Sequence, residues 1–151
     1  MSAAPKEPKK PKEPKAPRAS RAPMLPIDDD TPARQLLADV DALLSQASRG
    51  TAGLWPRAAA LLTRQALEVA VATFWAVKAP GVESCSKKAQ LLCLGRYLGD
   101  EPLAQRAHVV WSALSASCHY HVYDLAPTRE ELQAWRDSVF QVVERTERAW
   151  R

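Results

Sequence analysis

The run Ser115-Ala116-Ser117-Cys118-His119-Tyr120-His121-Val122-Tyr123-Asp124 gathers more reactive groups than any other stretch of the chain. Its two imidazoles titrate near neutral pH and suit acid–base work on a reacting group. A thiol, two phenols and a carboxylate stand beside them. Residues two apart on a helix point about 200° away from each other, so His119 and His121 face one partner only if the helix breaks near Tyr120. Pro127, a few residues on, favours such a break. The bland alternative is a helix end at which the imidazoles cap carbonyls and the tyrosines pack. Metal binding would draw on Cys118, His119 and His121 with Cys85 or Cys93, but the spacing matches no CxxC, HxxxH or EF-hand pattern. Neither a metal nor a cofactor is expected.

Arg64 and Glu68 form the second candidate, with Gln65 beside them. Four residues apart on an otherwise apolar helix, the two charges should pair, because a partly buried charge needs compensation. One reading is a structural ion pair on a wet edge. The other sets this pair across a cleft from the histidines, as the polar half of a site. Ser115, Ser117 and Cys118 stand next to histidines, yet no Gly-x-Ser-x-Gly elbow supports a nucleophile and no glycine-rich loop offers a phosphate cradle.

The elements that must position these groups are all helical. A first helix should begin at Asp30 or Thr31 with Pro32 in its first turn, carry Leu36, Leu37, Val40, Leu43 and Leu44 on one face, and end at Arg49–Gly50. The second, about Pro56 to Ala79, is apolar over most of its circumference, with Arg57, Arg64, Glu68 and Trp75 on one narrow stripe; a helix of that kind is central. The third spans Lys87 to Leu98 with Ser84 or Ser86 as cap and Leu91, Leu92, Leu94 and Leu98 inward. Asp100, Glu101 and Pro102 open a fourth that runs to about Cys118. Thr128 and Glu131 form a capping box for a fifth, with Leu132, Trp135, Val139 and Val142 buried. Glu144–Arg148 and Glu147–Arg151 read as exposed ion pairs. No strand or hairpin signal occurs, and the expected fold is all-α, a four- to five-helix bundle over residues 30–151.

Residues 1–29 form a separate unit. Proline recurs every third residue at Pro5, Pro8, Pro11, Pro14 and Pro17, the period of polyproline II, and such a segment cannot bury enough apolar surface to fold. Lys6, Lys9, Lys10, Lys12, Lys15, Arg18 and Arg21 give residues 1–26 a net charge of +5 in a chain of net +4. The high isoelectric point is therefore the tail's, and the bundle itself is close to neutral. These seven cations are the candidate nucleic-acid contacts, through phosphates; the alternative is a solubilising spacer. No apolar core of a secretory signal follows the charged start, and the longest apolar run, Val69 to Val77, falls short of the roughly 20 residues of a membrane span. Three cysteines in such a chain read as reduced thiols in the cytoplasm, with no disulfide framework.

A small helical bundle with a polar, histidine-bearing end to its penultimate helix resembles the HEPN superfamily. The resemblance implies a motif of arginine, a polar residue, a few more residues and histidine, with two copies meeting in a homodimer to cleave RNA. On that pattern His119 or His121 takes the histidine's place. The arginine's place then falls between Val110 and Ala116, where none stands; the nearest upstream is Arg106. Leu61–Glu68, Ala89–Leu94 and Leu114–His121 also resemble segments of small helical proteins from high-GC bacteria, in which an arginine commonly replaces Ala116. The resemblance thus implies a non-catalytic HEPN-like module that binds RNA or a protein partner as a homodimer, in regulation, defence or a toxin–antitoxin pair. Two other readings stand beside it. One is a metal-independent endoribonuclease that takes its arginine from Arg64, with His119, His121, Arg64 and Glu68 as the catalytic candidates. The other is a scaffold whose tail recruits a partner.

Overall fold

A computed structural model describes residues 31–46, 54–119 and 125–150, with nothing described of the Trp150 side chain. The Lys/Pro-rich tail, residues 1–29, lies outside the described residues. Within them the chain is all-α: five helices, α1 (Pro32–Gln46), α2 (Trp55–Lys78), α3 (Lys87–Leu98), α4 (Glu101–Cys118) and α5 (Arg129–Trp150), with one 3-10 turn at Val82–Ser84.

Local chemistry sets most helix ends. Thr31 Oγ1 accepts from the Arg34 amide at 3.4 Å, and Pro32 follows where a missing N–H costs nothing. Ser86 caps α3 through the Ala89 amide, and Asp100 caps α4 through the Leu103 amide. At α5 the capping box is reciprocal: the Thr128 amide donates to Glu131 Oε2 at 2.8 Å while the Glu131 amide donates to Thr128 Oγ1 at 3.2 Å. α3 ends at Gly99 with φ +65°, a left-handed conformation that favours glycine.

α2 packs against every other helix. Ala59, Ala66, Leu67, Val71, Phe74 and Trp75 along it are fully buried. Ala33, Leu37, Val40 and Leu44 of α1 cover one side, Leu91, Leu94 and Leu98 of α3 with Ala107 and Leu114 of α4 another, and Leu132, Val139, Val142 and Val143 of α5 the rest. By length and composition α2 alone among the described helices suffices to cross a membrane, with a mean hydropathy of 1.2 over its most apolar window. In this fold its apolar side is covered by helices instead.

Four expectations about faces need correction. Trp75 does not share a wet stripe with Arg64 and Glu68: it is fully buried, with the Tyr97 ring edge-on at 4.8 Å. Leu61 and Val77 lie on open sides of α2, so that helix is enclosed less completely than its composition implies. Leu92 is 61% exposed, because α3 turns only Leu91, Leu94 and Leu98 inward. Glu147 is not one half of an exposed pair with Arg151. Its side chain is 6% exposed and accepts from Arg34 and from the Thr31 hydroxyl, because α1 lies against that face of α5. The Glu144–Arg148 pair does form, at 3.4 Å.

Enclosure of α2 has a measurable cost when it is hollowed. Phe74→Ala should destabilise the bundle by about 3–5 kcal/mol in denaturant unfolding, the range for a buried phenylalanine. A loss below about 1 kcal/mol would mean that α2 is not the core helix.

Candidate functional site

One turn of α2 separates Arg64 from Glu68, and the Arg64 Nε donates to Glu68 Oε1 at 2.8 Å. α4 crosses here and contributes Trp111, whose indole Nε1 donates to the same oxygen at 2.9 Å. The Arg64 guanidinium lies 5.8 Å from the centre of the Trp111 ring, a cation–π contact. Lys87, the first residue of α3, sends its Nζ to the Glu68 carbonyl at 3.3 Å and to Gln90 Oε1 at 2.9 Å. Buried Gln90 in turn donates to the carbonyls of Glu83 and Cys85, which ties the 3-10 turn to α3. Three helices therefore meet at one glutamate.

The charges at this junction shift one another. Burial works to raise the Glu68 carboxyl, but the Trp111 indole, the Arg64 guanidinium and the Lys87 charge together hold it below the ordinary carboxylate range. Arg64 is held above its usual value chiefly by its bond to Glu68, against the effect of burial. Lys87 is pushed down by burial, which outweighs the attraction of Glu68. One cation thus binds the carboxylate and a second acts on it through its charge, so Glu68 remains ionised well below neutral pH.

The histidine-bearing helix end lies beside this cluster without joining it. α4 stops at Cys118, and the Cys118 thiol sits beside the Arg64 guanidinium. His119 is exposed and already extended, at φ −87° and ψ 125°, with its amide bonded to the Ala116 carbonyl at 3.1 Å. The break expected near Tyr120 thus falls one residue earlier. No hydrogen bond connects Arg64 with His119 among the described residues. His121 lies outside them, as do Tyr120, Val122, Tyr123 and Asp124. Among the described residues no three His, Cys, Asp or Glu side chains converge as metal ligands would. Cys85 and Cys93 are exposed and free.

Sequence reasoning paired Arg64 with Glu68 but missed Trp111, Lys87 and His108. His108 stacks on Trp111 with ring centres 6.5 Å apart and planes 23° apart. That pair had a signal, since residues three apart share a helix face. The partnership of Trp111 with Glu68 spans 43 residues and had none.

A substituted Glu68 gives a pH-resolved test of the junction. Glu68→Gln should lower stability at pH 7 by on the order of 1 kcal/mol, with two donors left poorly matched. Because the folded carboxyl lies below its ordinary value, its charge stabilises the fold above that value, and this contribution fades as pH falls. The gap between wild type and variant should therefore narrow below about pH 4.3, the free glutamate value. A gap that stays constant from pH 7 to pH 3 in denaturant titrations would rule the ionised carboxylate out as its source.

No protein-family model, curated protein or solved structure matches this chain.

Proposed function

We propose that the chain is a non-catalytic helical binding module that engages RNA in the cytoplasm. Arg64 carries this reading. It is a cation that the fold brings beside Cys118 at the end of α4, and its Nε is already bonded to the Glu68 carboxylate at 2.8 Å. Phosphodiester cleavage needs positive charge free to meet the charge that develops as the bond breaks. A guanidinium neutralised by a carboxylate that stays ionised supplies little of it. The imidazole of His119 alone gives acid–base capacity without that charge.

The RNA is held mainly by phosphate contacts from Lys6, Lys9, Lys10, Lys12, Lys15, Arg18 and Arg21, since the bundle is close to neutral. A homodimer would double this charge. Likeness to HEPN modules supports a place in regulation, defence or a toxin–antitoxin pair. A protein partner in the place of RNA is the outcome if polyanion binding fails.

A second reading has its own observation. Arg64 lies beside Cys118, the residue before His119. A guanidinium carries five N–H donors, and Glu68 takes the one on Nε. The donors that neither Glu68 nor the Cys118 thiol takes would then serve a ribonuclease with a relocated arginine.

Cleavage assays separate the two. Purified protein should degrade structured and single-stranded RNA no faster than the His119→Ala/His121→Ala double variant. Ala116→Arg should bring weak cleavage, and so should Glu68→Gln, which frees Arg64. Cleavage by the natural sequence that is lost both in the double variant and in Arg64→Ala would establish the second reading instead.

Binding is tested through salt. Deleting residues 1–22 should flatten the dependence of log affinity on log salt by up to roughly 0.7 for each of the seven cations that touches single-stranded phosphate. An unchanged slope would place RNA elsewhere or remove it as the ligand.

A further inference from the structure

Among the described helices α3 alone has no acidic residue, and it carries Lys87, Lys88 and Arg96. Lys87 turns inward to the Glu68 carbonyl and to Gln90. Lys88 and Arg96 are exposed, and neither makes an ion pair or a side-chain hydrogen bond among the described residues. The acids closest in sequence are engaged elsewhere. Glu83 accepts from the Gly81 amide, and the Glu101 carboxylate lies where a Cβ on buried Gly95 would fall. The bundle is close to neutral as a whole, yet this helix is not.

The same face carries apolar groups left open to solvent. At 3.6 residues per turn Lys88, Leu92, Arg96, Cys93 and Tyr97 spread over one half of the helix circumference, and all five are exposed. Leu92 is 61% open and Tyr97 56%. A single exposed leucine needs no explanation. Here a leucine and an aromatic ring alternate with two unpaired cations. Tyr97 is also fixed in place, because its ring meets that of buried Trp75 edge-on at 4.8 Å.

We propose that this outer face of α3 binds unpaired RNA: Tyr97 stacks on a base, Leu92 gives a second base apolar contact, and Lys88 and Arg96 meet phosphates. The inference rests on the RNA reading above and deepens it, because it names single-stranded RNA as the ligand and gives the bundle its own contact with the bases. Cations that follow the backbone beside an aromatic ring are the means by which proteins hold single strands without reading sequence. A duplex keeps its base faces stacked inside, so the ring has nothing to stack on there. Lys88 and Arg96 stand about 12 Å apart along the helix axis and are placed for separate phosphates of one strand. A ring already held by Trp75 loses little freedom when a base covers it.

Two oligomers of equal length test the proposal on the full chain: one of adenosine, and an abasic one with the same ribose and phosphates. The natural sequence should bind the adenosine oligomer more tightly. Tyr97→Leu should cut that preference about fivefold or more, whereas Tyr97→Phe, which keeps the ring, should preserve it. Lys88→Gln/Arg96→Gln alters only exposed side chains and should flatten the dependence of log affinity on log salt by up to roughly 0.7 for each cation. Equal affinity of the natural sequence for the two oligomers overturns the proposal. So does a preference that survives Tyr97→Leu, or a salt slope that survives the double variant. In those cases the RNA reading still stands if deleting residues 1–22 flattens the slope, while binding of neither oligomer ends both.

Discussion

α2 is the constraint to which the other helices answer. Its buried strip alternates small and large side chains, Ala59, Ala66 and Ala70 beside Leu67, Phe74 and Trp75. The alanines let neighbouring helices approach closely, and the large residues fill the space between them. Phe74 and Trp75 meet edge to face at 5.1 Å. An arrangement of this kind has little freedom, because four helices must each present a stripe that fits the same axis. Most of the fold's stability is therefore apolar and shared, and no single outer helix holds it alone.

The polar contacts have a different part: they fix which face of each helix turns inward. Glu68 joins α2, α3 and α4 at one carboxylate and its own backbone carbonyl. Glu147 joins α5 to α1 through Arg34 and Thr31, and Arg136 adds a second tie to Asp41. Between those two ties Phe140 is flanked by the guanidiniums of Arg34 and Arg136, at 5.5 and 5.2 Å from its centre. Half-buried carboxylates with two or more donors are directional where apolar packing is not. At α4 the same device sets the candidate site. It holds Arg64 beside Cys118 and at the same time neutralises it.

Helix existence, order and start points were legible because their causes are local. Thr128 and Glu131 satisfy each other's amides within one turn, and Ser86, Asp100 and Pro32 need only their immediate neighbours. The centrality of α2 was legible from its apolar circumference. Periodicity identifies a buried stripe but not the partner at its edge, and this is where Glu147, Leu92 and Trp75 were misplaced. Glu147 looked like a solvent residue on α5 because the arginine that neutralises it stands 113 residues earlier. The site divided in the same way. Arg64 and Glu68 were readable as a pair four residues apart, while Trp111 and Lys87 reach them only through the packing of three helices.

The α1–α5 clasp also has a consequence for how the chain is made. Its ties span 116, 113 and 95 residues, which are long-range contacts for a helical bundle. α1 leaves the ribosome first, and the helix that completes its docking leaves last. At synthesis rates of about 5–20 residues per second, the interval is on the order of ten seconds. During that time Leu37, Val40 and Leu44 have only α2 to cover them. Until then the side of this first helix that faces α5 has no partner within its own chain.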